Sequence, residues 1–259
     1  MDHIKSLILT WDEYRAKKFE TPYMFEIAKG DKRLTYIGVR HLYLPEDKQF
    51  AVIKQKFEEF IQLVGDKVVL VEGGKNWPTF PTTEETIQKY GEAAYTTFLA
   101  KEAGLEFNTP EPEYDDILES LRDTYGTDDI SYQWVATYGL HYSKIVDKPT
   151  QDEYIQSRVL KRLGRISDTY KTVDDVKNLH KRLFNTELDL NQQKFFYDLV
   201  DPSQNNSVYN EISRAEDVIR DSTIVKNILD YWNKGYSVFI VYGSAHAVNQ
   251  ERALKELCK

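Results

Sequence analysis

Two stretches of this chain share one short pattern, an apolar strand that runs into Gly-x-x-His: Leu34-Thr-Tyr-Ile-Gly38-Val-Arg-His41 and Val238-Phe-Ile-Val-Tyr-Gly243-Ser-Ala-His246. A helical pattern follows each, so both read as β-α units, which pair side by side in parallel sheets. Each histidine is then expected on the loop between a strand's carboxyl end and a helix's amino end, where open α/β sheets hold their ligands. A third run, Val68-Val-Leu-Val-Glu72, has no polar alternation and reads as a strand covered on both faces, with Glu72 at its carboxyl end. If the strands are parallel, His41, Glu72 and His246 fall along one sheet edge.

The rest of the pattern fits an α/β fold with a mainly parallel central sheet made of two related β-α halves and flanked by helices. Residues 23 to 29 and 33 to 38, joined by Gly30-Asp31, predict a hairpin. Apolar residues at three- and four-residue steps predict helices over 46 to 64 and 211 to 233, while Thr83 opens a helix to about Ala103 and residues 251 to 257 a short terminal one. Leu105 to Asn108 is a short candidate strand that ends at Thr109-Pro-Glu111-Pro, a rigid turn bringing another carboxylate to a strand end. The helical, charge-rich stretch 115 to 200 reads as a cap within a single domain, 1 to 259. Asp201 to Ser207 is its clearest loop.

Composition narrows the function classes. A formal charge of −8 argues against a phosphate-backbone binder. No run approaches the roughly 20 apolar residues of a membrane span, and the amino-terminal apolar run is too short for a secretory signal. The one cysteine, Cys258, excludes an intrachain disulfide and suits a reducing compartment, so a cytoplasmic protein is expected. Eighteen tyrosines suggest an aromatic cavity or interface, or simply residues shared between core edge and surface. Chain pairing through the hairpin edge is left open.

Only five histidines are present, and the paired motifs hold two of them. Histidine serves as a base near neutral pH or as a metal ligand, and either role needs a partner such as Glu72. Two histidines and a carboxylate admit a divalent ion (Mn, Co or Zn) with an open position, or direct activation of water. Arg220 is a candidate to steady an oxyanion, with a surface ion pair to Glu216 or Asp217 as the plainer reading, and Glu111 is a further candidate. Arg40, Glu92 and His141 read as structural pairings.

The order Gly-x-x-His, Val-Leu-Val-Glu-Gly, Ile219-Arg220-Asp221-Ser-Thr-Ile-Val and Val-Tyr-Gly-Ser-Ala-His resembles the TraB/PrgY/GumN and Tiki group, within a wider set that holds erythromycin esterases and ChaN-like haem-binding proteins. The resemblance implies an EreA/ChaN-like fold with a crevice formed by His41, Glu72, Arg220 and His246. It implies a hydrolase of peptide or ester bonds, metal-dependent or acting through histidine and glutamate, or else a non-catalytic haem- or peptide-binding protein. Gly-Val-Arg-His departs from the Gly-Thr-x-His of the TraB branch and sets a positive charge beside the first histidine.

Overall fold

The computed structural model describes every residue from Met1 to Lys259 except Lys75, Thr79, Lys144 and Val146. The chain divides into two compact units, one formed by 1–112 with 220–259 and the other by 113–219. In chain order the elements are α1 (Asp2–Leu7), α2 (Trp11–Ala16), β1 (Tyr23–Lys29), β2 (Lys32–Val39), α3 (Lys48–Ile61), β3 (Lys67–Val71), α4 (Thr83–Glu102) and β4 (Glu106–Asn108). Next come α5 (Tyr114–Arg122), α6 (Thr127–Tyr142), α7 (Gln151–Tyr154), α8 (Leu160–Ile166), α9 (Val173–Phe184) and α10 (Gln193–Val200), with one π-helical turn, Ile155–Val159, between α7 and α8. The last are α11 (Val208–Asn233), β5 (Ser237–Gly243) and α12 (Ser244–Leu257).

The first unit is a five-stranded sheet of order β1-β2-β5-β3-β4. Only β1 is antiparallel, joined to β2 by the predicted hairpin, in which Gly30 takes a φ of 60°. The other pairings are parallel, with Leu34 opposite Val238, Val68 opposite Val238 and Val68 opposite Glu106. The chain therefore belongs to the α/β class, with a mostly parallel sheet flanked by helices.

Alternation along the buried strands feeds two cores. Ile37, Val39, Val69, Val71, Phe239 and Val241 pack with Phe50, Ile53, Phe57 and Phe60 of α3 and with α4. The intervening residues Leu34, Tyr36, Val68, Leu70, Val238, Ile240 and Tyr242 pack with Ile224, Val225, Ile228 and Trp232 of α11 and with α12. Because every residue of β5 is buried, its apolar run is continuous, as expected of a central parallel strand. Parallel pairing also places the carboxyl ends of β2, β5, β3 and β4 on one edge, and the candidate residues extend from that edge.

The second unit is helical and has its own core, built around Leu121, Ile130, Val135, Val159, Leu163, Val176 and Phe196. Among the described residues, no helix is long and apolar enough to cross a membrane.

Two expectations need correction. The helix predicted at 251 begins at Ser244, because β5 passes into α12 through Gly243 with no loop between them. His246 therefore sits in the first helical turn, whereas His41 lies on irregular backbone after β2. The helix over 83 to 103 is broken at Gly91, where φ is 68° and ψ −151°.

Candidate active site

His41 is carried by a loop whose backbone α3 fixes. Buried Gln49 donates from Nε2 to the Arg40 carbonyl at 2.8 Å and accepts from the Arg40 N–H at 3.1 Å, two bonds that set the chain direction just before the histidine. The Arg40 side chain points out towards Asp47, at 3.8 Å. His41 Nδ1 lies 2.5 Å from Glu92 Oε1, and the imidazole remains 60% exposed while the Glu92 side chain is 7% exposed. Glu92 follows the break at Gly91, where an added Cβ would come within 3.1 Å of the Leu42 carbonyl. The break in α4 thus brings the helix up against the histidine loop and delivers the carboxylate.

Glu72, at the end of β3, stands between the two imidazoles. Its Oε2 accepts the Gly243 N–H at 2.7 Å and its Oε1 accepts from Arg220 Nη2 at 3.0 Å. His41 Nε2 is 3.8 Å from Oε2, and His246 Nε2 is 3.7 Å from Oε1. Burial works against charge on Glu72, but His246, Arg220, His41 and the Gly243 N–H outweigh it and hold the carboxyl below its ordinary range.

Arg220 and Asp221, adjacent on α11, serve opposite ends of this arrangement. Arg220 pairs with Glu111 through Nε to Oε2 at 2.8 Å and Nη2 to Oε1 at 2.5 Å, and the Tyr242 hydroxyl donates to Glu111 Oε1 at 3.1 Å. Asp221 is 1% exposed and faces His246 Nδ1 at 2.6 Å. It also accepts from Gln250 Nε2 at 2.6 Å, while Gln250 Oε1 accepts the Tyr36 hydroxyl at 3.0 Å. His246 thus closes a buried chain of hydrogen bonds.

The proton on His246 decides one contact. Burial opposes its charge and Asp221 and Glu72 favour it, raising the pKa to about 9. Arg220 Nη1 nevertheless lies 2.9 Å from Nε2, a separation that needs a lone pair on the imidazole because guanidinium donates only. The geometry described is that of the neutral ring with its hydrogen on Nδ1; protonating Nε2 and keeping the arginine contact are mutually exclusive. His41 is raised by its bond to Glu92, opposed by burial and helped by Glu72.

The same contact bears on a metal. His41, Glu72 and His246 come together as the candidate ligand set, but the guanidinium takes the His246 Nε2 lone pair and one Glu72 oxygen. Among the described residues, no group of three His, Cys, Asp or Glu side chains is arranged to hold an ion. As arranged, this donor set does not fit a divalent metal, because a metal needs the lone pairs that the guanidinium already occupies.

All five candidates therefore converge: His41, Glu72, Glu111, Arg220 and His246. Arg220 faces Glu72 and Glu111 inside the site, not a surface acid alone. His141 lies in the second unit. Glu92, expected to be a structural pairing, is the partner of the more exposed histidine, and Asp221, which the sequence offers only as part of a motif with no role of its own, is the partner of the other. Its signal was its place beside Arg220 in the Ile-Arg-Asp motif. A cavity of about 240 Å³ opens at His41 and is also lined by Tyr43, Glu72, Gly73, Trp77, Tyr90, Glu92, Ala93 and Arg220.

No family model matches the chain, and neither the curated proteins nor the solved structures give a significant match.

Proposed function

We propose that this chain is a hydrolase of peptide or ester bonds in which His41 acts as the general base. The observation that carries this reading is the His41 ring itself, held by Glu92 through Nδ1 and turning Nε2 towards Glu72 beside an open cavity. His41 Nε2 takes a proton from water as the oxygen attacks the carbonyl carbon, and Glu92 stabilises the imidazolium. The proton passes to the leaving nitrogen or oxygen when the tetrahedral intermediate collapses. Glu72 orients the water, and Arg220, which lines the same cavity, supports the developing oxyanion. His246, locked to Asp221, is a positioning residue for Arg220 and Glu72.

The resemblance to the TraB/PrgY/GumN and Tiki group, and to an EreA/ChaN-like sheet of two related β-α halves, is part of the proposal. It is supported by β2 and β5 being parallel neighbours with Gly38 opposite Tyr242 and Val39 opposite Gly243, so that the two motifs leave the sheet side by side. We assign the site histidine–glutamate chemistry over the metal-dependent alternative because of the Arg220 contacts. A small cavity favours a compact substrate group over a macrocycle such as haem.

Chromogenic ester and peptide panels test the assignment. Turnover should fall by at least about 100-fold in His41→Ala. Absence of turnover across both panels, or turnover indifferent to that substitution, rejects it.

A further inference from the structure

The walls of the cavity carry information that the chemistry at its floor does not use. Trp77 is anchored by its Nε1, which donates to the Glu72 carbonyl at 3.0 Å, and its ring covers Gly73, where an added Cβ would lie 2.8 Å from the indole. Tyr90 meets Trp77 edge-on, with centroids 6.2 Å apart, and stacks on Phe80 at 5.8 Å. Tyr43 lies over Gly91, 3.6 Å from the Cβ position. Three aromatic rings thus stand beside the two carboxylates that line the cavity.

Among the described residues that line the cavity, two carboxylates, Glu72 and Glu92, stand against one guanidinium, Arg220. The guanidinium of Arg220 is already paired bidentately by Glu111, which leaves the carboxylates of Glu72 and Glu92 as the acids that line the cavity. Aromatic faces attract cations, and a neighbouring carboxylate adds its own Coulombic attraction. The cluster already does so on another side, where Lys89 Nζ sits 4.0 Å from the Phe80 centroid.

We propose that the cavity selects substrates bearing an organic cation, a protonated amine or quaternary ammonium, held against Tyr43, Trp77 and Tyr90 and facing Glu72 and Glu92. Its description as a substrate site rests on the hydrolase reading. The binding itself does not.

Three probes of nearly equal shape test the proposal by calorimetry on the full chain: choline, its neutral isostere 3,3-dimethylbutan-1-ol, and the anion 3,3-dimethylbutanoate. Choline should bind at least about fivefold more tightly than the alcohol, the anion should not bind, and added salt should narrow the gap. Trp77→Leu should weaken choline several-fold more than the alcohol. Tyr43→Leu should do the same, and since Tyr43 is exposed this variant keeps the test valid if the tryptophan variant fails to fold. Equal binding of choline and the alcohol, or no binding of any probe, overturns the proposal. Choline binding retained in a protein that turns over no ester or peptide rejects the hydrolase reading alone, whereas turnover that ignores substrate charge rejects this proposal alone.

Discussion

His41 has its orienting acid on one nitrogen and the cavity on the other, so its titration governs both rate and stability, in opposite senses. The base is the neutral ring, and its pKa is raised by Glu92 and Glu72, so kcat/KM should climb as pH rises through a midpoint above about 6.5. Glu92→Gln should lower the rate and move that midpoint down, a shift that a merely structural contact would not produce; a pH–rate profile of the two proteins checks it. The charged ring is the form the fold favours. Its stabilising contribution is therefore complete below about 6.5 and lost as pH rises through the folded-state value. With the ring more than half exposed, that contribution is modest.

The two Gly-x-x-His motifs use their glycines for close approach, and neither is among the positive-φ glycines. A Cβ at Gly38 would lie 2.6 Å from the Ala247 Cβ and 3.0 Å from the Ser244 Cα, where β2 passes under the start of α12; one at Gly243 would meet Glu72 and His41. Gly38→Ala should therefore cost about 1–3 kcal/mol by overpacking, read from urea unfolding, and a cost below about 0.5 kcal/mol would show that this crossing yields easily. The strands and their shared edge were legible because β2, β3 and β5 announce themselves as apolar runs, whereas their order in the sheet was not. The helix breaks were less legible. The helix from Thr83 to about Ala103 is predicted without a break, although an isolated glycine such as Gly91 inside it is itself a signal. The positive φ of Gly91 is what turns Glu92 onto His41, and this pairing across 51 positions leaves no periodic trace. Asp221 was hidden for a related reason: successive residues on a helix diverge by about 100°, so Arg220 and Asp221 reach the site from different angles and pattern reading credits only one of them.

At the scale of the whole chain, the two units have separate apolar cores. Leu163 is fully buried in the helical one, and Leu163→Ala should cost about 2–5 kcal/mol. Hydrogen exchange should then speed up across 113–219 while β2, β3 and β5 keep their protection. Equal acceleration in both units would mean that they open as one. Sheet order has a further consequence for biosynthesis. The strand at the middle of the sheet is the last of the five to be made, and its neighbours on either side belong to the first third of the chain. As the polypeptide emerges, β2 and β3 must wait with unfilled flanks facing each other across a missing rung, while the helical unit is already complete. Nascent molecules of this protein should thus spend most of their translation exposing adhesive strand edges, and they are candidates for escort by chaperones until the final segment slots in.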